Sequence, residues 1–167
     1  SAWALGPNCG HSNKEAVAFM IDLCNEYGID TIELGNAFSV AMEAYEKGLS
    51  KYEIGWGDVD KMIEWIPKIA HREEGIGEIL AEGPGRAAEK FGNKDLAMVV
   101  KNQAIPAYDP RGIQGIGLGY ATSNRGACHL RGYTVASEIA GIPEPVDRLK
   151  VEGKGELLKT FQDLLAF

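Results

Sequence analysis

The chain has 167 residues, 45% of them hydrophobic, which is enough to bury a core as one ordinary domain or two small ones. A net charge of -7 without any block of Lys or Arg argues against a non-specific nucleic-acid binder, because neutralising phosphates needs a basic face. No apolar run approaches the roughly 20 residues that span a bilayer, and the start lacks the basic and apolar regions of a signal peptide, so the cytoplasm is the default location.

The acidic excess is uneven. Residues 1–104 carry 10 Lys and Arg against 17 Asp and Glu, and residues 105–167 carry 7 against 7. Cys9, Cys24 and Cys128 are an odd number, lie far apart, and have no histidine at metal-ligand spacing. Neither a disulfide framework nor a complete metal site is expected from them. Ser1 opens without an initiator Met, and the chain stops at Leu164-Leu165-Ala166-Phe167 inside an apolar helical pattern, as an internal fragment of a longer protein would.

In chain order, Ser12 and Glu15 have capping-box spacing, and Val17, Met20, Ile21, Cys24 and Tyr27 recur at helical intervals before Gly28. This predicts a helix over 13–27 with a left-handed stop. Asp30 and Glu33 repeat the capping pattern, and the next helix turns Leu34, Phe38, Ala41, Met42 and Tyr45 inward before Gly48. Asp58 caps a third helix with Val59, Met62, Ile63, Trp65 and Ile66 on its apolar face, and Pro67 is expected to kink or break it. A short helix follows over 73–83, then another from Pro84 to Phe91-Gly92. Leu96–Val100 alone has strand character.

The two prolines of 104–112 exclude helix from the residues before them. That stretch is therefore an extended connector and the candidate boundary between a unit over 1–104 and a unit over 105–167. Beyond it, glycines 112, 115, 117, 119, 126 and 132 predict backbone packed closely against a helix or a ligand. Pro143 and Pro145 make a stiff turn, and Leu157, Leu158, Phe161, Leu164 and Leu165 define a last amphipathic helix. The class is all-α and multihelical.

Three motifs bear on chemistry. Gly115-x-Gly117-x-Gly119 is not a dinucleotide loop, because it lacks the preceding strand and the third glycine. His129 stands between Arg125 and Arg131 in sequence, and neighbouring cations would favour a neutral ring able to accept a proton; a structural histidine with a satisfied partner is the alternative. The junction Asn25-Glu26-Tyr27-Gly28-Ile29-Asp30 is either a helix stop and start or a set of amides and carboxylates that could meet the edge of a planar heterocycle.

Four segments resemble the tungsten-containing aldehyde:ferredoxin oxidoreductase family in the same order: Leu5–Cys9, Cys24–Ile32, Pro106–Gly112, and Tyr120–Arg131. The resemblance implies the C-terminal helical domains of such an enzyme, with 1–104 as part of helical domain 2 and 105–167 as the start of helical domain 3. It further implies a parent that oxidises aldehydes to carboxylic acids and passes electrons to ferredoxin, using one tungsten between two pterins and a [4Fe-4S] cluster beside a β base domain.

By the same resemblance, Asn25, Gly28, Ile29 and Asp30 align with the first pterin motif, with Asn25 in place of its leading Asp. His129 aligns with a histidine beside the metal and substrate, and Arg131 is a partner for pterin phosphate. The cluster cysteines and the second pterin motif fall outside the chain. The implied behaviour of the piece alone is thus an inactive chain without tungsten, pterin or cluster, able to self-associate through faces that the base domain would cover. Related enzymes acting on aromatic thioesters or sugar phosphates, and a cofactor-free helical interaction module, are the competing readings.

Overall fold

A computed structural model describes residues 1–166, and within them the chain divides into two compact units, Ser1–Ala104 and the segment from Ile105 onward. Both are helical; the only strands among the described residues are Val99–Val100 (β1) and Gln103–Ala104 (β2), an antiparallel ribbon. The class is all-α, as the periodicity implies. No described helix is long and apolar enough to cross a membrane.

The first unit contains α1 (Ala2–Leu5), α2 (Lys14–Tyr27), α3 (Thr31–Glu46), α4 (Val59–Ala70), α5 (Ile76–Leu80) and α6 (Pro84–Lys90), with 3-10 turns at Pro7–Cys9 and Lys94–Leu96. Its centre is α3, which packs on α1, α5 and α6, while α2 lies on α4. Leu34, Ala37, Phe38, Val40, Ala41, Met42 and Ala44 are all buried, so α3 is apolar around most of its circumference, as a central helix must be. At Gly35 the backbone of α1 comes so close that an added Cβ would fall 2.3 Å from the Ala4 carbonyl oxygen.

Several expectations for this unit are corrected. The cap of α2 is Asn13, whose side chain accepts the Ala16 N–H at 3.1 Å, and Ser12 lies outside the helix. Glu33 does not complete a capping box; its carboxylate reaches the Ala104 N–H at 2.8 Å and ties α3 to β2. Tyr45 is exposed rather than inward, because Ala44 already fills the inner side of that last turn.

Pro67 does not break α4, which runs on to Ala70. A proline forfeits one backbone bond, and continuing the helix buries Ile69 with Trp65 and Ile66 on the same face, which offsets that loss. The helix expected over 73–83 shrinks to Ile76–Leu80, and Leu96 belongs to a 3-10 turn rather than to a strand.

The second unit contains α7 (Gln114–Thr122), α8 (Val135–Glu138) and α9 (Lys154–Leu165), with α7 packed on both of the others. The glycines of the run serve helix packing: a Cβ on Gly115 would meet the Glu138 carboxylate at 2.7 Å, and one on Gly132 would meet Leu158 at 2.5 Å. Lys154 and Glu138 form a 2.7 Å ion pair with side chains only 2% and 0% exposed. Glu138 also accepts the Gly115 N–H, and Lys154 donates to the Asp147 carbonyl.

The last helix departs from its expected pattern. Of its apolar residues only Leu158 is buried, whereas Leu164 and Leu165 are 66% and 49% exposed. Phe167 lies outside the described residues.

Candidate functional site

In the first unit, Gly28 ends α2 in the left-handed region at φ 69°, where glycine carries no steric penalty. The Ile29 N–H then donates to the Cys24 carbonyl at 2.8 Å. One residue later, a single oxygen of Asp30 accepts from the N–H groups of Ile32 and Glu33 at 2.8 and 3.0 Å, capping α3. Two helix ends of opposite sense are thus joined by very little chain.

Gly28, Ile29 and Asp30 line a cleft of about 500 Å³ together with Glu33, Arg72 and Glu82. Asn25 does not line it; it is exposed on the last turn of α2. Burial pushes the Glu33 carboxyl above its ordinary range, against the opposing pull of the Ala104 hydrogen bond. Glu82 is held low by the guanidinium of Arg72, with Arg86 contributing. Beside Asp30, the cleft therefore has one carboxylate reluctant to ionise, Glu33, and one held charged by its arginine partners, Glu82.

In the second unit, His129 is half-buried beside buried Cys128. Its ring lies 5.7 Å from that of Tyr108 and 6.5 Å from that of Tyr133, and the two phenolic oxygens are 3.0 Å apart. The Tyr120 hydroxyl donates to the Tyr108 carbonyl at 3.1 Å, fixing the connector on α7. The hydrogen bond to Tyr133, followed by burial, pushes Tyr108 up to about 12. At neutral pH His129 therefore faces an uncharged Tyr108 phenol, to which the Tyr133 hydroxyl is hydrogen-bonded.

The sequence placed His129 between two guanidinium groups. In space Arg125 and Arg131 line a separate cleft that does not include His129. Tyr108 and Tyr133 were missed as its neighbours: Tyr108 stands in a segment read only as connector and motif, and nothing in its spacing reveals that the chain folds back onto the histidine.

A pterin presents amine and ring N–H donors beside a carbonyl acceptor, so a site for it needs carboxylate or amide oxygens and room for a flat ring. The α2–α3 junction meets this in kind. Gly28 has nothing within 4 Å of where a Cβ would stand, Asp30 supplies a carboxylate, and Asn25 an exposed amide. Asn25 contributes a neutral acceptor, weaker than a carboxylate by roughly a factor of two for such bonds. Among the described residues no group of three or more His, Cys, Asp and Glu is placed to hold a metal ion.

The first unit thus carries a bare helix junction and the second a phenol-framed histidine. Residues 1–167 match the family model described as aldehyde ferredoxin oxidoreductase, domains 2 and 3, and the chain belongs to that family. It is 45% identical over 174 residues to the tungsten-containing aldehyde ferredoxin oxidoreductase of Pyrococcus furiosus, covering 99% of this chain and 29% of that protein. Against the protein of the same description from Pyrococcus horikoshii it is 46% identical over 176 residues, with the same coverage. A more distant match, 33% identical over 150 residues, is the WOR-like subunit of an aliphatic sulfonate oxidoreductase of Pyrococcus furiosus, covering 78% of this chain and 24% of the subunit. The chain thus spans about 29% of the length of the first relatives it matches.

Proposed function

We propose that the chain is the cofactor-facing helical part of a tungsten-pterin enzyme that oxidises aldehydes to carboxylic acids and delivers the electrons to ferredoxin. Residues 1–104 would be part of its helical domain 2 and the remainder the start of helical domain 3. What carries this reading is identity of 45 to 46% across 99% of the chain with proteins described as tungsten-containing aldehyde ferredoxin oxidoreductases.

In the reaction RCHO + H2O → RCOOH + 2H⁺ + 2e⁻, the bound cofactor supplies the two-electron acceptor. This chain's residues bind and move protons. The exposed amide of Asn25 accepts from a pterin amine, the open face at Gly28 and Ile29 admits the ring, and Asp30 keeps one oxygen on the α3 amides, leaving its other oxygen to accept from the pterin. His129 takes the proton released as water oxygen bonds to the carbonyl carbon. The rings of Tyr108 and Tyr133 frame its ring and set its orientation.

Alone, the chain would hold neither tungsten nor a [4Fe-4S] cluster and would be inactive, since most ligands would come from the remainder of the parent chain. Its partners would be that β base domain and, through uncovered apolar faces, a second copy.

The test is His129→Ala in the complete protein, followed by activity and tungsten content. A positioned acid or base contributes about a hundred- to ten-thousand-fold, so activity per bound tungsten should fall in that range while tungsten loading persists. Activity per tungsten equal to wild type would show that His129 serves the fold alone.

A further inference from the structure

A phenol carries one proton, so two phenols that share one hydrogen bond have one O–H left to donate elsewhere. Tyr108 and Tyr133 are such a pair, with oxygens 3.0 Å apart and rings 5.5 Å apart in an edge-to-face contact at 76°. The bond between them raises Tyr108 more than burial does. A hydrogen bond that favours the protonated form of a group is one in which that group donates. Tyr108 therefore gives its proton to the Tyr133 oxygen, and the Tyr133 O–H makes no other hydrogen bond to a described residue.

Both phenols stand on fixed backbone. The buried Tyr120 donates its hydroxyl to the Tyr108 carbonyl at 3.1 Å. Tyr133 is flanked by Gly132, where Leu158 leaves no room for a Cβ, and by the buried Thr134, whose N–H donates to the Gly132 carbonyl at 2.8 Å. The Tyr133 ring lies 6.5 Å from that of His129 at 62°, and both residues are half-buried. Accepting from Tyr108 also polarises the Tyr133 O–H, since chained hydrogen bonds strengthen one another. A histidine and an aimed O–H donor thus stand side by side, each partly open to solvent.

We propose that Tyr133 is a further catalytic residue, whose O–H donates to the carbonyl oxygen of the aldehyde while His129 takes a proton from the adding water. Tyr108 is the positioning residue that aims it. In this step the water oxygen bonds to the carbonyl carbon, and the π pair of the C=O bond moves onto the carbonyl oxygen. One water proton goes to His129, leaving the hydrate anion RCH(OH)O⁻ beside an imidazolium, with no electron transferred. The Tyr133 hydrogen bond strengthens as charge gathers on that oxygen, which is where a fixed donor lowers a barrier. The assignment rests on the aldehyde-oxidising reading of the parent.

In the complete protein, Tyr133→Phe should lower kcat about a hundred- to a thousandfold, with KM changed less than about threefold and tungsten content kept, as for an interaction made only in the transition state. Tyr108→Phe leaves the donor in place without its guide and should lower kcat by less, about tenfold, the worth of one hydrogen bond. Across para-substituted benzaldehydes the loss in Tyr133→Phe should be largest for methoxy and smallest for nitro. The oxyanion of an electron-poor carbonyl is a weaker base and gains less from a donor. A structural defect would lower every member of the series alike.

The 167-residue chain supplies a second measurement that needs no cofactor and holds even where a variant fails to load tungsten. Followed by NMR of assigned tyrosine rings, with circular dichroism to check folding, Tyr108 should titrate lower in Tyr133→Phe, moving from about 12 toward the ordinary 10 once its acceptor is gone. The proposal is overturned if Tyr108 stays near 12 in that variant, if Tyr108→Phe costs more than Tyr133→Phe, or if all the benzaldehydes lose equally. Activity per tungsten within about threefold of wild type in Tyr133→Phe overturns it as well. A complete wild-type protein that oxidises no aldehyde overturns the redox reading and this assignment with it, whereas normal wild-type turnover with an unaffected Tyr133→Phe overturns this assignment alone.

Discussion

Phe38 and Lys154 are both sealed from solvent, but by different means. Phe38 sits in a contiguous apolar core that runs from Leu5 to Leu96 and belongs entirely to the first unit. Lys154 is held by a carboxylate and a backbone carbonyl, in a unit whose own buried side chains are few and which exposes Leu130, Ile139, Ile142, Leu149, Val151 and Leu164. A stability that rests on apolar burial is self-contained. One that rests on a buried ion pair beside uncovered leucines fits a surface completed by other chain, which is the role proposed for the base domain.

The contrast breaks most readily at Phe38. Phe38→Ala should cost about 3–5 kcal/mol and unfold the first unit at lower denaturant, read by hydrogen exchange of the α3 amides. Equal loss of protection in α7 and α9 would show that the units do not unfold separately.

Lys154→Met tests the other side. Removing one partner strands Glu138 as a buried charge, with a cost that can approach about 3–5 kcal/mol, confined to the second unit. Adding Glu138→Gln should recover much of it, because the amide oxygen still accepts the Gly115 N–H while the charge is gone. Failure to recover would mean that the attraction itself dominates. Gly132→Ala is expected to cost about 1–3 kcal/mol, since its Cβ meets Leu158 and its φ is 129°; thermal melts followed by NMR of the second unit check it.

The smallest effect concerns pH in the first unit. Glu33 has its folded pKa raised by burial, so the native state holds that proton more tightly than the unfolded one. Its contribution is fully present below the unfolded pKa near 4.5 and is lost as pH rises through the higher folded value. Glu33→Gln keeps an acceptor for the Ala104 N–H and removes the charge, so stability should gain slightly at pH 7 and change little at pH 4. Urea melts at both values decide the sign.

What was legible in the sequence was local. Gly28, Asp30 and Asp58 act through bonds within three residues and Pro84 through its own fixed φ, and each sits at the helix end its type predicts. What was not legible depends on distant chain. Glu33 leaves its capping position for Ala104, 71 residues away, Pro67 is tolerated because Ile69 has a core to enter, and the glycine run answers to Glu138 and Leu158. For the candidate site the motif residues Gly28, Ile29 and Asp30 were visible as a group, while the phenols beside His129 were not, since aromatic contact across a fold leaves no periodic trace.

The three cysteines give each unit its own clock. All are buried and none is in a disulfide; burial pushes Cys9 up to about 12 and Cys24 up to about 11, so these two thiols hold little reactive thiolate at neutral pH, and Cys128 is shielded by its burial. A thiol reagent must wait for local opening, at Cys9 and Cys24 for the first unit and at Cys128 for the second. Pulsed alkylation with mass readout would therefore time the two openings in one sample without any added probe. Adding the rest of the parent chain should slow the labelling of Cys128 far more than that of Cys9.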